Sequence, residues 1–155
     1  MRRFSFPCLI AAVGLLAGCG VGGPFGPSAP FDPSAETTFC VNEVNRYRNI
    51  AGLQPLTVTP ALEAFATESA RTDTVARQPH LHFTQTNGGG VALAENELLW
   101  WPSRNVHAII AQELAAMWAE GPSGDHHQNM AGPYTQVGCG IFVSGHEMSA
   151  AQDFR

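Results

Sequence analysis

Apolar residues recur at three- and four-residue intervals from Phe39 and Cys40 through Val44, Tyr47 and Ile50, the spacing that lines one face of a helix. The pattern predicts a helix over residues 36–51, with Gly52 at the C-cap position and Pro55 beyond it. Thr59-Pro60 reads as an N-cap followed by proline at the first helical position. The helix it opens buries Leu62, Phe65, Ala66 and Ser69-Ala70, and Pro79 stops it just past Arg77. Residues 80–102 lack periodicity and contain Gly88-Gly89-Gly90, which predicts a long loop. A loop of more than about 12 residues inside a compact domain is usually functional. A third helix begins near Ser103, carries Val106, Ile110, Leu114, Met117 and Trp118 on one stripe, and ends at Gly121-Pro122. A short segment holding DHHQNM (residues 125–130) then leads into two strand-like runs, TQVGCGIFV and MSAAQDF. Helices followed by strands argue for an α+β or layered α/β domain.

The N-terminal pattern is of another kind. Arg2 and Arg3 precede an apolar run from Phe6 to Ala17, too short for a bilayer core that needs roughly 20 residues. A basic head, a short apolar run and small residues describe a secretory signal over residues 1–18. Leu16-Ala17-Gly18-Cys19 resembles a bacterial lipobox, in which Cys19 is acylated and becomes the mature N-terminus; the other reading is an ordinary signal with an incidental Cys19. Residues 19–35, rich in Gly, Pro, Ser and Ala, read as the lipidated cysteine and a flexible tether, and residues 36–155 as one domain. The expected location is therefore the bacterial cell envelope or surface, with the membrane reached through lipid on Cys19.

Charge narrows the partners. The chain carries a formal charge of −5, and its 8 basic residues are all Arg. Without Arg2 and Arg3, six Arg face thirteen acidic residues, a charge of −7, and no basic cluster remains. Nucleic acid is excluded as an expected partner, because phosphate binding needs concentrated Lys and Arg. Of 4 cysteines, Cys8 lies in the signal and Cys19 in the lipobox. Cys40 and Cys139 remain, either bonded in an oxidising compartment or buried as free thiols.

Several catalytic signatures fail. His146-Glu147 opens like a zinc-protease helix, but Ala150 stands where the second histidine belongs. The three glycines have no following Lys, and no Gly-x-Ser-x-Gly elbow occurs. What remains is a scatter of His80, His82, Glu95, Glu120 and His126 in loops and at helix ends. Imidazole and carboxylate together suit zinc or a similar divalent ion. Taken alone, these residues read more readily as exposed surface polars than as a site.

From Cys40 to Phe154 the chain resembles the CAP superfamily of cysteine-rich secretory, antigen 5 and pathogenesis-related-one proteins. The matching stretches are CVNEVNRYRNIAGLQPL, AEN at 94–96, MWAEGP at 117–122, HHQNM at 126–130, VGCG at 137–140 and AAQDF at 150–154, in the family's order. The resemblance implies an α-β-α sandwich with a central cavity lined by two His and two Glu, which in some members binds zinc or another divalent cation. Carried over, the four are His82, Glu95, Glu120 and His126. His80 is the alternate for His82, which lies thirteen residues before Glu95, the better family spacing. His127 takes an aromatic place, and His107 and His146 read as structural or surface residues. Two functions follow as expectations. One is a non-enzymatic, lipid-anchored module binding a divalent metal and a small or lipidic ligand. The other is a metal-dependent hydrolase on the same residues.

Overall fold

The computed structural model describes residues 31–155, so the signal, Cys19 and the first part of the tether lie outside the described residues. Helix α1 spans Pro33–Ile50. It starts before residue 36 because Asp32 caps it, its carboxylate accepting from the Ser34 N–H at 3.0 Å and Pro33 occupying the first turn. A two-residue strand β1 (Thr57–Val58) precedes α2 (Pro60–Ala76), capped by Thr59 as expected. Then come α3 (Leu81–Thr86), a 3-10 turn at Asn87–Gly90, β2 (Ala94–Pro102) and α4 (Val106–Ala119). Helix α5 (Asp125–Ala131) and the hairpin β3 (Gln136–Ser144) and β4 (Glu147–Phe154) complete the chain.

The strands form one sheet in the order β1-β3-β4-β2, antiparallel except for the parallel β1–β3 pair. Strand alternation sends Val137, Cys139 and Ile141 of β3, with Met148, Ala150 and Phe154 of β4, to one face. There they meet Cys40 and Val44 of α1, Ile110 and Leu114 of α4 and Met130 of α5 in the main core. The opposite face packs on α2 through Ala66, Ala70 and Ala151. Close approach there requires glycine, since a Cβ on Gly140 would lie 2.0 Å from the Thr67 backbone nitrogen, and one on Gly138 2.3 Å from the Leu62 carbonyl carbon. The result is the α-β-α sandwich that the resemblance implied. Cys40 and Cys139, both without solvent exposure, are bonded across 99 residues and tie α1 to β3.

Residues 80–102 depart from the expected loop. The second half is strand β2, paired antiparallel with β4 in a register that sets Glu95 opposite Asp153 and Asn96 opposite Gln152. Its sequence, Ala-Glu-Asn-Glu-Leu-Leu, shows no apolar alternation because both of its faces bury polar side chains. The first half is a compact α3 and 3-10 segment, held by left-handed His80, Asn87, Gly88, Gly89 and Gly90.

Candidate functional site

Strand β2 is an edge of the sheet. Glu95 and Glu97, two residues apart, project to the α2 face, as does Asp153 across from Glu95. His80 enters from the turn after α2. Its left-handed backbone (φ 54°) brings both its N–H and its ring onto the same two carboxylates. The N–H donates to Glu97 Oε2 at 2.7 Å, and Nδ1 lies 2.9 Å from Glu95 Oε1. One donor atom from each of His80, Glu95 and Glu97 lies within 4.8 Å of the others. The two glutamate side chains are almost fully buried (1% and 3% exposed) while the imidazole is 44% exposed, so the group opens to solvent on the histidine side.

Behind this triad the charge is unbalanced. Asp73 of α2 and Asp153 of β4 are fully buried. Asp73 spends one oxygen on the His82 N–H at 2.8 Å. Its other oxygen, Glu95 Oε2, Glu97 Oε1 and both oxygens of Asp153 have no hydrogen-bond partner. Burial first, then its contact with Asp73, pushes the Glu97 carboxyl up to about 9. Burial and the charges of Glu95 and Asp73 push Asp153 up to about 9 as well. The hydrogen bond to Glu95 raises the His80 imidazole above its ordinary value. Each shift reports a shortage of positive charge at this spot. One imidazole nitrogen with two carboxylates fits a divalent ion, and such an ion would satisfy the unpartnered oxygens of Glu95 and Glu97.

Glu120 and His126 form a second pair, with His126 Nδ1 2.6 Å from Glu120 Oε1 and its backbone N–H donating to Oε2 at 3.2 Å. The chain turns tightly between them. A Cβ on Gly124 would lie 2.3 Å from the Glu120 Cβ, so only glycine lets the carboxylate fold against α5. The hydrogen bond from His126 holds the Glu120 carboxyl below its ordinary range. Asparagines fasten this pair's helix to β2: Asn96 donates to the His126 carbonyl at 3.1 Å, and Asn129 to the Glu95 carbonyl at 3.1 Å. Within the 4.8 Å grouping among the described residues, however, neither Glu120 nor His126 joins the triad.

The histidine beside Glu95 is therefore His80 and not His82. His82 lies one residue into α3 with its Nδ1 3.0 Å from Ser69 Oγ and its ring packed on Phe65. Sequence spacing favoured His82 because it treats the intervening chain as uniform, whereas a left-handed turn at residue 80 reverses which ring reaches the strand. Glu97, Asp73 and Asp153 were not anticipated. The alternation of Glu95 and Glu97 was their one sequence signal, and it carries meaning only for a strand. His127 packs in a tilted contact on Trp118 with ring centroids 4.2 Å apart and reaches the Trp118 carbonyl through Nδ1 at 2.7 Å, filling the aromatic place expected of it. His107 stacks on Phe39 and pairs with Glu36, and His146 lies between β3 and β4. Two open grooves of about 300 and 370 Å³ flank α2 elsewhere, and neither is lined by His80, Glu95, Glu120 or His126.

The sandwich and its disposition of elements are shared with known proteins. A family model described as the cysteine-rich secretory protein family, CAP, matches residues 41–154. Among solved structures, an outer surface protein from Borrelia burgdorferi superposes with a TM-score of 0.55 at 13% identity, over 81% of this chain and 96% of that one. A cysteine-rich secretory protein from Staphylococcus aureus subsp. aureus Mu50 superposes with a TM-score of 0.54 at 15% identity over 80% of this chain. The chain spans 40% of the Staphylococcus protein's length. No curated protein matches it in sequence. At these identities the structures establish the fold alone, while the family model covers nearly the whole described domain. The chain belongs to the cysteine-rich secretory protein (CAP) family.

Proposed function

We propose that this protein is an exported, lipid-anchored CAP module whose His/Glu group holds a divalent cation and performs no catalysis. The observation that carries the reading is the triad itself: His80, Glu95 and Glu97, buried on the carboxylate side and open on the imidazole side, with donor atoms within 4.8 Å of one another. His80, Glu95 and Glu97 would hold the ion, and Glu120 with His126 stands beside the strand as a second His–Glu pair. A bound divalent ion supplies Lewis acidity and a fixed charge at the surface. Zinc is the ion the family resemblance suggests.

Binding without chemistry is supported by the surroundings. Cys40 and Cys139 are consumed in a disulfide. Ser69, the hydroxyl next to a histidine, has no solvent exposure and so cannot reach an external substrate. Anchoring rests on the LAGC stretch at Cys19. No helix among the described residues is long and apolar enough to cross a membrane.

The test is metal analysis of the purified protein followed by peptide and ester hydrolysis assays with and without chelator. One divalent ion per chain with no turnover supports the module. Chelator-sensitive turnover would replace it with a metal-dependent hydrolase.

A further inference from the structure

Trp100 is held in a backbone conformation that a bulky side chain rarely takes. Its φ is 61°, and the left-handed region is strained for a residue of this size. The β2–β4 register explains where it sits. Leu98 faces Ala150 and Trp101 faces Met148, so Leu99 and Trp100 together stand opposite Ser149 in a β-bulge. Glycine would take this φ without strain, so nothing in the bulge itself calls for a tryptophan. What the indole reaches does. The backbone N–H of Trp100 donates to Ser149 Oγ at 3.1 Å, and its indole Nε1–H donates to the Thr74 carbonyl of α2 at 3.3 Å. That carbonyl lacks its helical partner, because the Gln78 N–H that would serve it goes to the Asp73 carbonyl at 3.2 Å. The Arg77 guanidinium lies 5.8 Å from the centre of the indole and pairs with Glu147 at 2.6 Å.

Strand β2 therefore grips both ends of the turn from Arg77 to His80. Trp100 holds the last turn of α2 at Thr74, and earlier in the same strand Glu97 and Glu95 take the His80 N–H and ring. Arg77 and His80 are both left-handed (φ 56° and 54°), so the direction in which the His80 ring leaves depends on where α2 ends. We propose that Trp100 is a positioning residue of the cation site: by fixing the end of α2 through Thr74, it fixes the turn that aims the His80 imidazole at Glu95. The inference rests on the triad being a cation site. Trp100 offers the ion no ligand atom, since its indole nitrogen only donates. His80 depends on such an anchor more than its partners do. Its side chain is 44% exposed, whereas burial already holds Glu95 and Glu97 at 1% and 3% exposure. A ring aimed before the ion arrives has little freedom left to lose on binding, so the anchor is read out as affinity.

Trp100→Phe keeps a ring in the bulge and removes the indole donor. In titration calorimetry of the purified protein with Mn²⁺ and, separately, Zn²⁺, it is expected to weaken both ions by about fivefold or more. The same substitution made in His80→Ala, where Glu95 and Glu97 still hold the ion, is expected to change affinity by less than about twofold. A merely structural role would cost the same factor in both backgrounds, and that result overturns the proposal. Should Trp100→Phe fail to fold, Trp100→Gly makes the same test, since glycine takes the φ of 61° without strain. If the parent protein binds neither Mn²⁺ nor Zn²⁺, the cation reading falls and this inference with it. A parent that binds, beside a Trp100→Phe protein that binds equally well, sinks the inference alone.

Discussion

His80 Nδ1 lies 2.9 Å from Glu95 Oε1, while the other oxygen of the same carboxylate is buried without a partner. That asymmetry makes Glu95 the hinge of the site, with an open side at the histidine and a closed side lined by buried carboxyl groups against α2. The first expected consequence separates the two histidines. His80→Ala should weaken divalent-ion affinity by about tenfold or more, and His82→Ala should leave it near the parent value, because His82 is turned to Ser69. Titration calorimetry of the two variants checks this. Equal losses would place His82 at the ion after all.

The same hydrogen bond sets the pH dependence. The imidazole of His80 is raised by Glu95, so in the ion-free protein the charged pair stabilises the fold fully below the ordinary imidazole value of about 6.5. That contribution fades as pH rises through the higher folded value. A cation needs the neutral ring and competes with this proton. Affinity should therefore fall on acidification with a midpoint above about 6.5, and the midpoint should move down in Glu95→Gln. Affinities measured across pH 6 to 8 would show it, and a flat profile would remove His80 from the ligand set.

Much of the fold was legible in the sequence, and the reason lies in particular residues. The stripe Val106, Ile110, Leu114, Met117 faces one apolar core, so a 3.6-residue period survives in the sequence. The Thr59-Pro60 cap and the two C-terminal strands follow equally local rules. Strand β2 did not, because Glu95, Asn96 and Glu97 are polar on both faces and their partners lie in α2, α5 and β4. The site inherits that failure. Glu95 could be named by order in the chain, while Glu120 and His126 form a separate pair outside the triad; the choice of His80 depends on a left-handed turn, and Glu97, Asp73 and Asp153 on a strand register that the sequence does not display.

The disulfide yields a stability expectation. Cys40–Cys139 closes a loop with a sequence separation of 99, for which the chain-entropy treatment gives about 4–5 kcal/mol. Replacing both cysteines with Ala should lower the unfolding free energy by about 2–5 kcal/mol in denaturant titrations. Thiol titration of the denatured, unreduced exported protein should find neither cysteine free. Two titratable thiols would show that the bond does not form.

The contact between α2 and the sheet can be tested without touching the site. Gly140→Ala would put a methyl carbon 2.0 Å from the Thr67 nitrogen, forcing α2 away from β3 at a cost of about 1–3 kcal/mol or more. Displacing α2 also displaces Asp73. Thermal unfolding with and without Mn²⁺ should show a lower midpoint and a smaller ion-induced gain. A variant as stable as the parent would mean that α2 does not sit this close.

Anchoring is tested at Cys19. Cys19→Ala should abolish labelling by a fatty-acid probe in the native host and release the protein from the membrane fraction. An unlabelled parent would leave an ordinary signal in place of the lipobox reading.

The central claim is that His80, Glu95 and Glu97 hold one divalent ion. Equilibrium dialysis of the purified protein against Zn²⁺ and Mn²⁺, with bound metal counted by mass spectrometry, addresses it most directly. The account predicts one ion per chain in the parent and a loss of about tenfold or more in affinity on Glu95→Gln, with the variant still folded by circular dichroism. A folded parent that retains no ion, or a Glu95→Gln protein that binds as well as the parent, would contradict it.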